Sequence, residues 1–133
     1  MSEIKFWKDE KKTKIEPTLF SVKAEELAKD IAKDNQISKK VNKRTQIRKF
    51  YDEVVRLDMQ AKAKNREWDD ILPILHILIA KAAYARGRDL VSDRFLKFIR
   101  SSIKQVLKKE DLSVFANFFE AFMGFYRMHG PSN

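Results

Sequence analysis

Residues 71–83 decide the fold class, and they read ILPILHILIAKAA. Nearly every position of this stretch is apolar, with one His and one Lys as interruptions. Asp69 or Asp70 can cap a helix at its start, Pro73 suits its first turn, and Gly87 suits its C-terminal cap. A helix that is apolar all round is typical of one that other helices surround. The stretch therefore predicts a long third helix at the centre of a helical bundle.

Four further helices are predicted on either side of this stretch from the spacing of the apolar residues. They run over about 22–33, 42–64, 90–108 and 111–129. Ser21 is the expected N-cap of the first helix and Asp111 that of the last. The prediction is an all-α protein, a compact five-helix bundle. Residues 1–20, charged and interrupted by Pro17, are expected to form a mobile or loosely docked N-terminal arm on a single helical domain, residues 21–133.

Composition limits the class of protein further. The chain has 133 residues, which suits one domain, and it has no cysteine, which excludes disulfides, thiolate metal sites and cysteine nucleophiles. With three Gly and three Pro it has too few turn formers for many short strands. There is no apolar run long enough to span a bilayer and no signal peptide pattern. We therefore expect a soluble cytoplasmic protein with no membrane association.

The positive charge is concentrated in two segments. The chain carries 28 Lys and Arg against 19 Asp and Glu, a net charge of +9. Residues 39–66 hold ten basic and three acidic side chains, and residues 81–109 hold nine basic and two acidic ones. Two such segments favour a polyphosphate partner. Ordinary solvated helix faces are the alternative explanation.

The sequence offers no set of residues suited to catalysis. His76 lies within the apolar third helix and is expected to be a core residue, and His129 is expected to be exposed. Two histidines without cysteine do not make a zinc site. The carboxylates of Glu67, Asp69 and Asp70 are explained by the positive end of a helix dipole. We therefore predict no catalytic residue, no metal and no cofactor, and hence no enzyme.

Six basic side chains form the candidate binding site. Arg44 and Arg48 stand four apart on one edge of the second helix, and Arg86 and Arg88 bracket a glycine at a turn. Guanidinium groups bind phosphate in a bidentate manner, and helix ends present them freely. If the two places are adjacent in the fold, the four arginines form one continuous phosphate-contacting surface. The candidate RNA-binding residues are Lys43, Arg44, Arg48, Lys49, Arg86 and Arg88.

The aromatic residues lie almost entirely in the periodic apolar stripes and are expected to be core residues. The exceptions are Trp7 and Trp68. Each stands beside charged residues, and we expect both to lie at the surface. Base stacking needs exposed rings. The expected mode of binding is therefore contact with a nucleic-acid backbone rather than sequence readout.

Three segments carry a resemblance to a known family. Residues 45–51, TQIRKFY, resemble the Thr-x-Ile/Leu-Arg signature of the Csm-type small subunit of type III-A CRISPR effector complexes. Residues 84–89, YARGRD, are similar to its Tyr-x-x-Gly-Arg turn, and residues 118–121, FFEA, with Tyr126 and Gly130, resemble its aromatic-rich closing helix. The resemblance covers about residues 40–130.

The resemblance implies a non-catalytic five-helix subunit of a ribonucleoprotein that acts in antiviral defense. Several copies would stack along the complex, against the backbone of the guide RNA and target RNA. Arg48 and Arg88 would contact RNA, with Lys43, Arg44 and Arg86 as neighbours. The implied partners are these two RNAs, other subunits of the effector complex and copies of the chain itself, a homodimer being one form of the isolated protein.

Two other classes of function stay open from the sequence. One is a basic helical adaptor that meets an acidic protein, which would have no affinity for homopolymeric RNA. The other is a small DNA-binding protein, which would prefer duplex and would present a recognition helix. The sequence contains no clear candidate for such a helix.

Overall fold

Across residues 4–133, which the computed structural model describes, the chain forms five α-helices. They are α1 (Ala24–Ile37), α2 (Arg44–Lys62), α3 (Trp68–Gly87), α4 (Asp93–Lys104) and α5 (Lys109–His129). A π-helical turn, Leu19–Lys23, leads directly into α1. These residues form no β-strand, and an isolated antiparallel bridge joins Trp7 to Ile15. The predicted all-α class and the five-helix bundle are confirmed.

The helix ends differ from the prediction where caps were assigned. Ser21 lies inside the π-helical turn and therefore caps nothing. The fourth helix begins after Ser92, whose hydroxyl accepts a hydrogen bond from the first turn. Asp111 is the third residue of α5, and its carboxylate accepts hydrogen bonds from the backbone N–H groups of Leu107 and Lys108, at 2.9 and 3.3 Å. It thus satisfies the donors that precede α5 from within the helix.

The central helix is α5, not α3. It packs against α1 on one side and α2 on the other. Its inward side chains are fully buried and mostly aromatic, namely Phe115, Phe118, Phe119, Phe122 and Tyr126. Phe98 of α4 reaches the same cluster, with its ring centroid 5.2 Å from that of Phe119. Aromatic side chains bury the largest areas, and these rings therefore fill the middle of the bundle.

The prediction that α3 is the central helix is wrong. This helix packs against α4 and α2 and turns its remaining surface to solvent. His76, predicted to lie in the core, is exposed, and Ile77 and Tyr84 are 51% and 66% exposed. Because α3 is apolar on nearly every face, its composition could not show which faces are covered.

Residues 4–18 of the N-terminal arm are docked on the bundle. Phe6 is fully buried, with its ring centroid 5.7 Å from that of Phe118. The side chain of Gln105 fixes the arm at two points, accepting from the Phe6 N–H at 3.0 Å and donating to the Ile4 carbonyl at 2.7 Å. The Lys12 ammonium donates to the buried Asp111 carboxylate at 2.9 Å. The arm thus packs on the segment that connects α4 to α5 and covers it.

Candidate nucleic-acid interface

Asn42 fixes the start of α2 beside the turn that follows α3. It is fully buried and has a φ of 61°, a conformation that asparagine tolerates better than most residues. Its side-chain amide donates to the Ile31 carbonyl and to Ser92 Oγ, and its side-chain oxygen accepts from the Ser92 N–H at 2.9 Å. Its backbone N–H donates to the Leu90 carbonyl at 3.0 Å, and its own carbonyl accepts from the Tyr126 hydroxyl at 2.6 Å. Three parts of the chain therefore meet at one residue.

A groove of about 460 Å³ lies between α2 and α3. Residues three and four apart share one face of a helix. One wall is accordingly an edge of α2 and the other an edge of α3, each supplying three side chains over two turns. The α2–α3 groove has as its walls Gln46, Lys49, Glu53, Lys81, Tyr84 and Arg88, and as its floor Phe50, Leu78, Ala85 and Leu90. Phe50, Leu78 and Ala85 of this floor are buried and fix the distance between the two edges.

Basic side chains of the α2–α3 groove keep their charge available. Within residues 4–133, Lys49, Lys81 and Arg88 form no ion pair. The single carboxylate of the groove, Glu53, is held by Arg56, whose Nη2 lies 2.7 Å from its Oε1. Hydrogen bonding to Arg56 lowers the pKa of Glu53, and the charge of Lys81 lowers it further. The groove is therefore positive overall.

Tyr84 is a large side chain on the wall of this groove. Its side chain is 66% exposed, and the Arg88 guanidinium carbon lies 5.7 Å from the centre of its ring. The two residues are one helical turn apart, so their contact follows from helix geometry. A guanidinium over an aromatic face is a favourable cation–π contact.

Arg44 and Arg48 lie on the opposite edge of α2 from the groove. Arg48 is 64% exposed, with Nε 3.9 Å from Asp52 Oδ1. It stands beside Tyr51, whose pKa is raised by burial and by Glu120 of α5, and lowered by Arg48. Arg44 donates from Nη2 to the Ser132 carbonyl at 2.8 Å. This edge therefore faces α5 and the last residues of the chain.

Arg86 takes part in ion pairs at the other side of its turn. Its Nε lies 2.5 Å from Asp93 Oδ1, and its Nη1 lies 3.5 Å from Asp89 Oδ1. Hydrogen bonding to Asp93 raises the pKa of the Arg86 guanidinium. Nearby, Arg94 lies 3.7 Å from a carboxylate oxygen of each of two aspartates of α1. We call this region the ion-paired end, and it consists of Asp30, Asp34, Arg86, Asp89, Asp93 and Arg94.

Of the six candidate residues, the structure brings Lys49 and Arg88 together in one groove. Exposed Lys43, directly before α2, and Arg44 and Arg48 lie outside it, and Arg86 belongs to the ion-paired end. The four arginines thus occupy three different places. Sequence reasoning missed Lys81 and Tyr84. Tyr84 lies three residues after Lys81 and four before Arg88, and this helical spacing is the signal that could have found both.

The two tryptophans expected at the surface are half-buried instead. Trp7 and Trp68 pack against the core, and the Trp68 Nε1–H donates to the Leu107 carbonyl at 3.0 Å. Within residues 4–133, Asp, Glu and His side chains nowhere gather in a group of three that could hold a metal ion. Likewise, no helix there is long and apolar enough to cross a membrane.

Comparison with known families shows to which family the chain belongs. A family model described as Csm2 Type III-A matches residues 14–132, almost the whole chain. The chain belongs to this Csm2 family. It is therefore a Csm-type small subunit, a member of a multi-subunit type III-A CRISPR effector complex. Neither the curated proteins nor the solved structures give a significant match to this Csm2 chain.

The Csm2 match also bears on the motifs. All three segments that carried the resemblance, residues 45–51, 84–89 and 118–121, lie within the matched residues. The first contributes Gln46, Lys49 and Phe50 to the α2–α3 groove, and the second contributes Tyr84, Ala85, Arg88 and Asp89 to the groove and to the ion-paired end. Two of the three segments thus face one another across one groove.

Proposed function

We propose that this Csm2 chain is a non-catalytic subunit that binds the phosphate backbone of the guide RNA and target RNA without sequence specificity. The observation that carries the proposal is the α2–α3 groove, where Lys49, Lys81 and Arg88 line one concave surface without ion pairs among the described residues. Cations in this state attract phosphate, because no carboxylate neutralises them first. Lys43, Arg44 and Arg48 extend the positive surface along the other edge of α2, and Arg86, which is ion-paired, contributes less.

The mechanism is electrostatic. When a guide pairs with its target, two phosphate chains come together, and basic side chains beside them offset the repulsion. Bound cations released from the RNA make the affinity depend on salt. Because the contacts go to the backbone, any sequence can be accommodated.

Several copies of the chain would extend this surface along the complex. A contact between unlike faces propagates when its geometry does not close. Exposed large apolar side chains such as Met59 and Met128 offer area for contact between subunits. We expect light scattering to show self-association of the isolated protein, as a homodimer or larger. A strict monomer at high concentration would contradict this part of the proposal.

A salt titration tests RNA binding at defined residues. The change is Arg48→Ala or Arg88→Ala, with Arg100→Ala as the charge-matched control on the exposed side of α4. Fluorescence anisotropy with single-stranded homopolymeric RNA gives the affinity at each salt concentration. The slope of log affinity against log salt should fall by about 0.7 for each phosphate that the variant no longer binds. Arg100→Ala should change the slope less.

Equal reductions for Arg48→Ala, Arg88→Ala and Arg100→Ala would show that total charge, not these residues, drives binding. An absence of affinity for RNA would favour the adaptor, and a preference for duplex DNA would favour the DNA-binding alternative. Exposed substitutions usually change the free energy of unfolding by less than about 0.5 kcal/mol. Circular dichroism of each variant checks that the fold is intact.

A further inference from the structure

We infer that the α2–α3 groove is a nucleotide site in which the exposed ring of Tyr84 stacks on one unpaired base of the bound RNA. Lys49, Lys81 and Arg88 surround that ring and would hold the phosphates on either side of the base. The inference rests on the proposed function and adds a base contact to it. The ligand class is single-stranded RNA, because paired bases in a helix have both faces covered.

The exposure of Tyr84 is the first observation behind this inference. Among the described aromatic side chains, Phe20 and Tyr84 are exposed, at 38% and 66%, and the remaining rings are buried or half-buried. An exposed ring on the wall of a concave basic groove offers a flat aromatic face to a ligand that carries negative charge. A nucleobase fits, because it offers a flat face and carries a phosphate on each side.

The second observation is that the ring is held in place before any ligand binds. Tyr84 stands on a long helix, and the Arg88 guanidinium lies 5.7 Å from the centre of its ring. The Arg88 backbone N–H donates to the Tyr84 and Ala85 carbonyls, at 3.1 and 3.2 Å, which fixes the last turn of α3. A base would therefore complete a stack of guanidinium, phenol and base at a small cost in side-chain freedom.

The third observation is the polar character of the opposite wall. Gln46 brings both a donor and an acceptor to the groove, and these can pair with a base edge or with a ribose 2′-hydroxyl. Glu53 accepts two hydrogen bonds from Arg56, so its charge is largely compensated. A groove volume of about 460 Å³ lies within the range that small-molecule sites occupy.

The test separates the ring from the charges. The variants are Tyr84→Leu, which keeps apolar bulk without a π-face, and Tyr84→Phe, which keeps the ring. Ile77→Ala removes exposed apolar surface elsewhere on α3 and is the control. The probes are a single-stranded homopolymeric RNA and an RNA of equal length whose nucleotides are abasic.

Tyr84→Leu should weaken binding to the intact RNA about tenfold and leave the salt slope unchanged, because it removes one stacking interaction and leaves every phosphate bound. Tyr84→Phe and Ile77→Ala should bind like the wild type. On the abasic RNA, Tyr84→Leu and the wild type should have equal affinities. A 2-aminopurine base in the intact RNA should lose fluorescence on binding the wild type, through stacking, and not on binding Tyr84→Leu.

Equal affinities of Tyr84→Leu and the wild type for intact RNA would overturn the nucleotide site. So would the same weakening on abasic as on intact RNA, since the ring would then act through the backbone. Either result leaves the proposed function standing as long as wild-type affinity falls steeply with salt. A wild type that binds neither RNA would instead contradict the proposed function itself.

Discussion

The α2–α3 groove and the ion-paired end lie on either side of one turn and hold the same kinds of residue. In the groove, Arg88 contacts an aromatic ring and no carboxylate among residues 4–133. At the ion-paired end, Arg86 lies within 3.5 Å of two carboxylates. Residues two apart in a helix are rotated by about 200° around its axis, so their side chains point to nearly opposite sides. The sequence segment that looks uniformly basic is thus divided into an available half and a neutralised half.

This difference shows that local charge density does not measure the capacity to bind phosphate. Arg86 and Arg94 contribute to the net charge of +9 as much as Lys49 and Arg88 do. Their guanidinium groups already face aspartates, and binding an anion would have to displace those aspartates. The positions of nearby carboxylates in the fold decide which cations stay available.

The largest effect on stability is expected from a substitution of Asn42. This residue bonds both to Leu90 on the floor of the groove and to Ser92 beside the ion-paired end. Asn42→Ala should lower the free energy of unfolding by about 3 kcal/mol, because it removes buried hydrogen bonds and strains a positive φ. Urea denaturation measures the change. Asn42→Gly is the matched control: it tolerates the backbone conformation and removes only the hydrogen bonds, so its cost should be about 1 kcal/mol smaller. Reductions below about 1 kcal/mol for both would contradict the central position of Asn42.

Tyr126 holds the same junction from α5. Tyr126→Phe should lower the free energy of unfolding by about 1–2 kcal/mol, because the buried Asn42 carbonyl loses its hydroxyl donor. Burial raises the pKa of Tyr126, and the charge of Asp34 adds to this.

The raised pKa of Tyr126 also gives a pH dependence. The unfolded chain loses this proton near pH 10, while the folded chain keeps it, so the contribution to stability is full below pH 10 and falls above it. The slope from this group is at most about 1.4 kcal/mol per pH unit. Urea midpoints between pH 9 and 11 should fall less steeply for Tyr126→Phe than for the wild type. Parallel curves would show that the hydroxyl does not carry the effect.

Arg86 and Arg88 provide a direct test of availability. Arg88→Ala should weaken binding to single-stranded RNA about fivefold at 0.1 M salt, the effect of one phosphate contact. Arg86→Ala removes the same charge from the ion-paired end and should weaken binding less. Anisotropy titrations of both variants, side by side, measure the ratio. A ratio of one would remove the distinction between the two regions.

The smallest expected effect comes from removing one carboxylate from each region in turn. Glu53→Gln and Asp93→Asn each remove one negative charge, from the groove and from the ion-paired end. Glu53→Gln should raise RNA affinity about twofold, because the groove then holds no negative charge that repels phosphate. Asp93→Asn should raise it less, since its partner Arg86 lies outside the groove. A larger gain for Asp93→Asn would place the RNA at the other side of the turn.

The sequence was sufficient for the helices and for part of the candidate site. Apolar spacing predicted both α2 and α5, because buried positions recur every three or four residues in each helix. For α3 the same reasoning failed, since a helix apolar on every face does not tell which face is covered. It places Tyr84 among the core aromatics, although this ring is exposed.

The sequence also did not show which arginines are ion-paired and which are available. Lys49 and Arg88 were both among the six candidate residues, but the sequence did not show that they line one groove. Whether Arg86 is neutralised depends on Asp93, seven residues away across a turn with an unusual backbone at Asp89, where φ is 59°. Such contacts form only in three dimensions.

The central helix follows α1 to α4 in the chain, and this order has a consequence for biosynthesis. Both α1 and α2 pack on α5, so part of their apolar surface stays uncovered until α5 has been made. Translation of residues 63–129 takes roughly 3–13 s at the usual rates. During that interval basic and apolar side chains of the nascent chain are exposed to solvent. The phosphates of the ribosome lie close to these side chains. The core around α5 therefore forms only after that helix has been made, whereas α3 can pack against α2 and α4 earlier.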